Sequence, residues 1–351
     1  MVQRASGVAL AFALAAVAAG FLASNALATY PGANGRIAFM GWDMPGCPGT
    51  TYPGFGSNFA ICTMEPDGSG VKRISGFGRD GHLTGVALNQ LGFEASWSAS
   101  GRRIVFASRH WIRTMSADGS DKTKVAWVQD GVHSVAFSPS GGRIVYNQFH
   151  RNAPTEEQWA IYTIRTDGTG KRLIFAGPSA PDNFTSATPS YSPDGSRIVF
   201  AGRPNGRMWG IWTIEPDGTG LRPVITKPPG AGYYDHYPDW SPDGTQIVFV
   251  RGGPEGGRSP APAPVKLIRP DGSGLHGTGE INFDGQGYRF SPSGDLLVSS
   301  ARDAEPDPFC SDIFTVPVVG GARTTLTDNC VNDVDGFGWA FDPTWQPLPG
   351  G

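Results

Sequence analysis

Charge is scarce in this chain. Lys, Arg, Asp and Glu make up 17 % of its 351 residues, and the net charge is -3. A surface with no basic excess is not built to follow a nucleic-acid backbone or an anionic membrane. Cysteine is sparse as well. The four present include no Cys-x-x-Cys pair, which argues against a zinc ribbon or a thioredoxin-like redox site. His-Glu-x-x-His, Gly-x-Ser-x-Gly and P-loop signatures are missing, so the simplest routes to a zinc peptidase, an α/β-hydrolase or a nucleotide-phosphate site are closed. Beyond residue 23 there is no long apolar run. No cofactor is expected.

Glycine (50) and proline (30) are abundant instead, beside 39 % apolar residues. Enough apolar side chain is present to bury a core, so the Gly and Pro are read as turn residues of an all-β protein, not as disorder. The first 28 residues read as a secretory signal peptide. Arg4 precedes an unbroken apolar or small-residue run over 8–23, and Ala26-Leu27-Ala28 matches a small-x-small cleavage site. No Cys follows the run, so a lipoprotein is not expected. Cleavage would leave residues 29–351 with no membrane span, secreted or held in the periplasm or cell envelope. Four Cys suit that destination. Cys47, Cys62, Cys310 and Cys330 allow three pairings, of which the local pairs Cys47–Cys62 and Cys310–Cys330 are favoured.

Two turn signals alternate along the chain, each recurring at a period of about 50 residues. One is Ser-Pro-Asp-Gly or a near variant, starting at Ser98, Ser138, Ser192, Ser241 and Ser291. An aromatic residue precedes each (Trp97, Phe137, Tyr191, Trp240, Phe290), and a strand such as Ile198-Val199-Phe200 follows. The other is a short strand ending in Asp-Gly, at Gly68, Gly119, Gly168, Gly218 and Gly272, with a sixth copy in which Val319 replaces Asp. Asp-Gly and Ser-Gly supply the positive φ of tight hairpins, and the flanking runs alternate apolar with polar. Each unit thus holds four short antiparallel strands that cannot bury both faces alone.

The expected fold is therefore a six-bladed β-propeller. Five units are complete. A half-repeat at residues 343–347 (Pro-Thr-Trp-Gln-Pro) joins a half-repeat at residues 34–39, so the C-terminal strand is expected to pair with the N-terminal strands and close the ring. The aromatic before each Ser turn is expected to fill the space between blades.

The run 238–249, Pro-x-Trp-Ser-Pro-Asp-Gly followed by Ile-Val-Phe, resembles the WD40-like repeat of TolB-type propellers, and residues 187–200 repeat it. The resemblance extends over nearly all of the chain after the leader. It implies a fold shared by protein-binding periplasmic scaffolds, gating domains of prolyl-oligopeptidase-like enzymes and some lyases, so it says little about activity. TolB carries an α/β domain ahead of its propeller. Here the first expected strand starts a few residues after the leader, so a role in the Tol–Pal system is not implied.

The longer connections, such as 41–58, 177–188, 227–237 and 251–264, are expected to share the face opposite the Ser and Asp-Gly turns. They carry aromatics, among them Trp42, Tyr52, Phe55, Phe184, Trp209, Tyr233, Tyr234 and Phe337, which suits recognition of an envelope or extracellular protein or glycan. Four residues before the blade aromatic stand His133, His236 and Gln286, with Asp235, Glu94 and Asp342 beside that column. This set is expected at the channel mouth, as ligand-binding groups or as the lining of a water-filled channel. Some propeller lyases place His and Gln around a metal there. Here the only metal candidates would be His133 and His236, and a channel divalent metal is not expected. Residues 332–336 resemble a calcium loop but lack its first and last ligands, and are read as a polar turn. The chain is expected to be a scaffold more than an enzyme, and a monomer. A metal-assisted lyase or hydrolase at the channel mouth is the alternative.

Overall fold

A computed structural model describes residues 30–42, 44–48, 50–52, 56–58, 60–76, 95–108, 110–150, 152–154, 158–177, 188–204, 208–252, 263–283, 287–301, 311–329 and 339–348. Its strands form six four-stranded antiparallel sheets and one two-stranded hairpin, Thr50–Tyr52 with Gly56–Asn58. Blade 2 runs outward through Ala95–Trp97, Arg103–Ser108, Trp111–Ser116 and Thr123–Trp127. Blade 3 is Val135–Phe137, Arg143–Phe149, Trp159–Arg165 and Arg172–Gly177, and blade 4 is Ser190–Tyr191, Ile198–Gly202, Gly210–Ile214 and Arg222–Thr226. Blade 5 comprises Tyr234–Trp240, Ile247–Gly252, Ala263–Ile268 and His276–Phe283, and blade 6 Arg289–Phe290, Leu296–Ala301, Asp312–Pro317 and Thr324–Thr325. Blade 1 is the composite. Trp339–Leu348 lies innermost and pairs with Ala33–Trp42, which pairs with Ala60–Met64 and then Lys72–Gly76. The register runs from Ala33 opposite Leu348 to Trp42 opposite Trp339, so the ring closes as the half-repeats imply.

Turn chemistry explains the repeat. At Ser192 the hydroxyl donates to Asp194 (2.6 Å) and accepts from the Arg197 amide (2.9 Å), while the Gly195 amide donates to the Ser192 carbonyl (2.8 Å). One short side chain thus fixes both ends of the hairpin. The Asp-Gly turns work locally too. Asp167 accepts from the Thr169 amide and hydroxyl, which hold its exposed carboxyl below the usual range. The glycine of that turn has a second duty. Gly119 (φ +87) and Gly168 (φ +86) lie so close to the outer strand of the preceding blade that an added Cβ would stand 2.1 Å from the Ile74 carbonyl oxygen and 2.4 Å from that of Val125.

The core is divided among the six blade interfaces. Each blade aromatic packs on the blade before it: Trp97 on Ala38 and Ile61, Phe137 on Val105, Tyr191 on Val145, Trp240 on Val199, Phe290 on Val248, and Trp345 on Val298. All six are buried. Burying such a ring contributes about 2–3 kcal/mol. A disulfide joins Cys47 to Cys62 and pins the connection after the second strand of blade 1 to its third strand. Cys310 and Cys330 lie outside the described residues. Among the described residues no helix is long and apolar enough to cross a membrane.

Candidate functional site

The innermost strands surround the axis, and period-2 alternation decides what faces it. The blade aromatic points into an interface, so the residue before it points inward. That column is Ser96, Ala136, Ser190, Asp239, Arg289 and Thr344, one from each blade, and all six line a cavity of about 50 Å³. Such a volume holds a few waters and no sugar ring. Asp239 is buried. It accepts from the Ser190 hydroxyl (2.9 Å), and the Arg289 guanidinium stands 3.8 Å from the same oxygen. Tyr30, from outside the repeats, lines the cavity too. It is 4 % exposed, its hydroxyl lies 3.5 Å from the Phe137 carbonyl oxygen, and burial, then Tyr191 and Asp239, push its phenol far up. From there the chain crosses the face of the Ser turns, where the Asn34 side chain accepts from Ser293.

The structure describes four of the six residues singled out in sequence, His133, His236, Asp235 and Asp342. His133 packs edge-on against Trp159 at 4.8 Å, and burial lowers its imidazole to about 4. His236 lies among Trp209, Tyr234 and Tyr237. Asp235 is fully buried and forms a two-point ion pair with Arg251 across the strands (2.7 and 3.0 Å), which commits it to blade 5. Asp342 is only partly covered as a residue, yet its carboxyl lies deep. Burial pushes it up to about 6 against the pull of Arg289. Glu94, Gln286 and residues 332–336 lie outside the described residues. Among the described residues no three His, Cys, Asp or Glu are grouped to share a metal ion.

Asp342 and Tyr237 both have φ +52, and Gly287 has φ +73. All three stand three residues before the blade aromatic, and the ladders shift register at this level in blades 1 and 5. A left-handed Tyr is rare and marks backbone held in place by its surroundings.

Ring clusters recur on successive blades, some at the ends of strands and some within the blade interfaces. On blade 2, His110 stacks on Trp127 (5.6 Å, 23°) and Lys124 lies over Trp111. On blade 3, Tyr146 stacks on Tyr162, whose hydroxyl is 2.9 Å from His150 Nε2, and Lys171 sits 4.1 Å above the Tyr162 ring. Between blades 4 and 5, Trp209, Tyr234, His236 and Tyr237 form a nest. Lys227 lies 3.8 Å over Tyr234, and Arg251 lies 4.2 Å over Tyr233. Trp209 donates to the Asp235 carbonyl, and Met208 beside it is exposed. Tyr30, the Asp239–Arg289 pair and the blade 2 rings were not singled out in sequence. Alternation back from each aromatic is the signal that finds the pair.

No protein-family model and no curated protein matches the chain. Solved structures do. TolB from Acinetobacter baumannii superposes with a TM-score of 0.64 at 15 % identity, over 89 % of this chain and 67 % of that one. A putative TolB from Agrobacterium tumefaciens gives 0.57 at 17 %, over 90 % and 100 %. An oligogalacturonate lyase in complex with manganese gives 0.54 at 16 %, over 79 % and 73 %. At these identities the likeness concerns architecture alone: the chain carries a TolB-like β-propeller fold.

Proposed function

We propose that this chain is an exported propeller scaffold that binds a protein or a cell-envelope glycan through its long-connection face. The observation that carries this reading is the nest of Trp209, Tyr234, His236 and Tyr237, edged by Lys227 and Arg251. Rigid aromatics with cations at their margin bind partners at low entropic cost. The Cys47–Cys62 disulfide supports export, since such bonds persist in oxidising compartments. The test is affinity capture from an envelope fraction with the wild-type chain and a Tyr233→Ala/Tyr234→Ala variant. A saturable partner retained by the first and lost by the second is expected; equal retention by both would remove this face from the function.

The metal-assisted lyase or hydrolase is the competing reading, and the fold likeness to a manganese-bound lyase is compatible with it. His133 packs on Trp159 and His236 on Trp209, and no three His, Cys, Asp or Glu are grouped among the described residues. Elemental analysis of the wild type beside His133→Ala/His236→Ala decides. A stoichiometric metal lost in the variant would favour the enzyme.

A further inference from the structure

We infer that the rim of blade 2 is a stacking platform for an acidic pyranose, the carboxylate-bearing sugar of a polysaccharide. This rests on the reading that the long-connection face binds, and names one ligand class and its place. Trp111 and Trp127 stand directly opposite on the third and fourth strands of blade 2, so their side chains leave the same face of the sheet. Trp127 is 56 % exposed. His110 backs it and is itself pinned: its carbonyl accepts from the Val128 amide (2.6 Å), and its Nδ1 lies 3.1 Å from the Val128 carbonyl oxygen. The indole is therefore supported on one side by a fixed ring while more than half of its surface meets water.

The other half of the argument is charge. Arg113 lies two residues after Trp111, hence on the same face, with Lys124 opposite it. The Lys124 ammonium sits 4.9 Å over the Trp111 ring. Arg113 is half-buried on that face, so its charge is only partly screened by water. Two Trp faces followed by two cations suit a ring with a C–H-rich face and one carboxylate. A protein anchor would instead seek an enclosing pocket, and a neutral sugar leaves the cations unused.

Affinity electrophoresis tests this with three soluble polymers in the gel: alginate, dextran and poly-glutamate. The wild-type chain is expected to be retarded by alginate and by neither of the others. Trp127→Ala, at an exposed site that spares the fold, should weaken alginate binding roughly tenfold or more. Trp127→Phe should restore part of it, and Lys124→Gln should flatten its salt dependence. Equal retardation by poly-glutamate, equal retardation by dextran, no retardation by alginate, or an unchanged Trp127→Ala variant would each overturn the assignment. The Tyr233→Ala/Tyr234→Ala chain, run in the same gels, separates the failure of this platform from failure of the whole face.

Discussion

The hydroxyl of Tyr30 lies 3.5 Å from the carbonyl oxygen of Phe137, a contact across 107 residues of sequence. A side chain from outside the repeats thus stands where inner strands from all six blades meet. Tyr30→Ala is expected to lower unfolding free energy by about 3 kcal/mol, because a buried ring is removed from a site whose walls cannot collapse. Tyr30→Phe should cost far less, since the hydroxyl contact is long. Urea midpoints at constant slope check both. An unchanged Tyr30→Ala midpoint would mean the ring is not seated in solution.

Asp342 gives a pH signature. Its folded carboxyl is raised to about 6 from an ordinary value of 3.8, so the folded state holds a proton that the unfolded state has released. The stabilisation is complete below pH 3.8 and fades as pH rises through about 6. Asp342→Asn keeps the left-handed backbone, which Asn tolerates, and removes the charge. It should raise the melting temperature at pH 8 and change it little at pH 4. An equal gain at both values would point to packing instead of ionisation.

The glycines of the two turn types should respond differently. Gly141 has φ +69 and open space where a Cβ would go, so Gly141→Ala meets backbone strain alone, about 1–2 kcal/mol. Gly119→Ala meets that strain and a carbonyl oxygen 2.1 Å away, and should cost at least twice as much or fail to fold. Comparing their denaturation midpoints separates turn conformation from blade docking.

Replacing Cys47 and Cys62 by Ser should lower stability by about 3 kcal/mol, from a bridge spanning 15 residues. A reductant should shift the melting temperature of the wild type toward that of the variant and leave the variant unmoved.

Turn chemistry and one aromatic column made the fold legible, because each blade solves the same packing problem with the same residues. The ring closure could be read for the same reason, as two halves of a known unit. The channel was harder. Asp235 is read as a channel residue by its position beside His236, and the cross-strand register adds what the sequence does not display, Arg251 opposite it in an ion pair. Asp239 and Arg289 sit in a column that is otherwise small or uncharged, visible only once the aromatic is known to point outward. Tyr30 belongs to no repeat, and nothing in its neighbours' pattern assigns it a partner.

The composite blade also sets an order of events. Hairpins along blades 2 to 6 join strands that are near in sequence, and each can form as soon as its own residues are present. The strand Ala33–Trp42 is made early but keeps one open edge until Trp339–Leu348 arrives from the far end of the chain. Closing that loop is the slowest contact the topology contains, and until then the Trp345 side of the blade 1–blade 6 core stays wet. The molecule therefore has a vulnerable interval built into its assembly, during which an unpaired edge is open to a second chain.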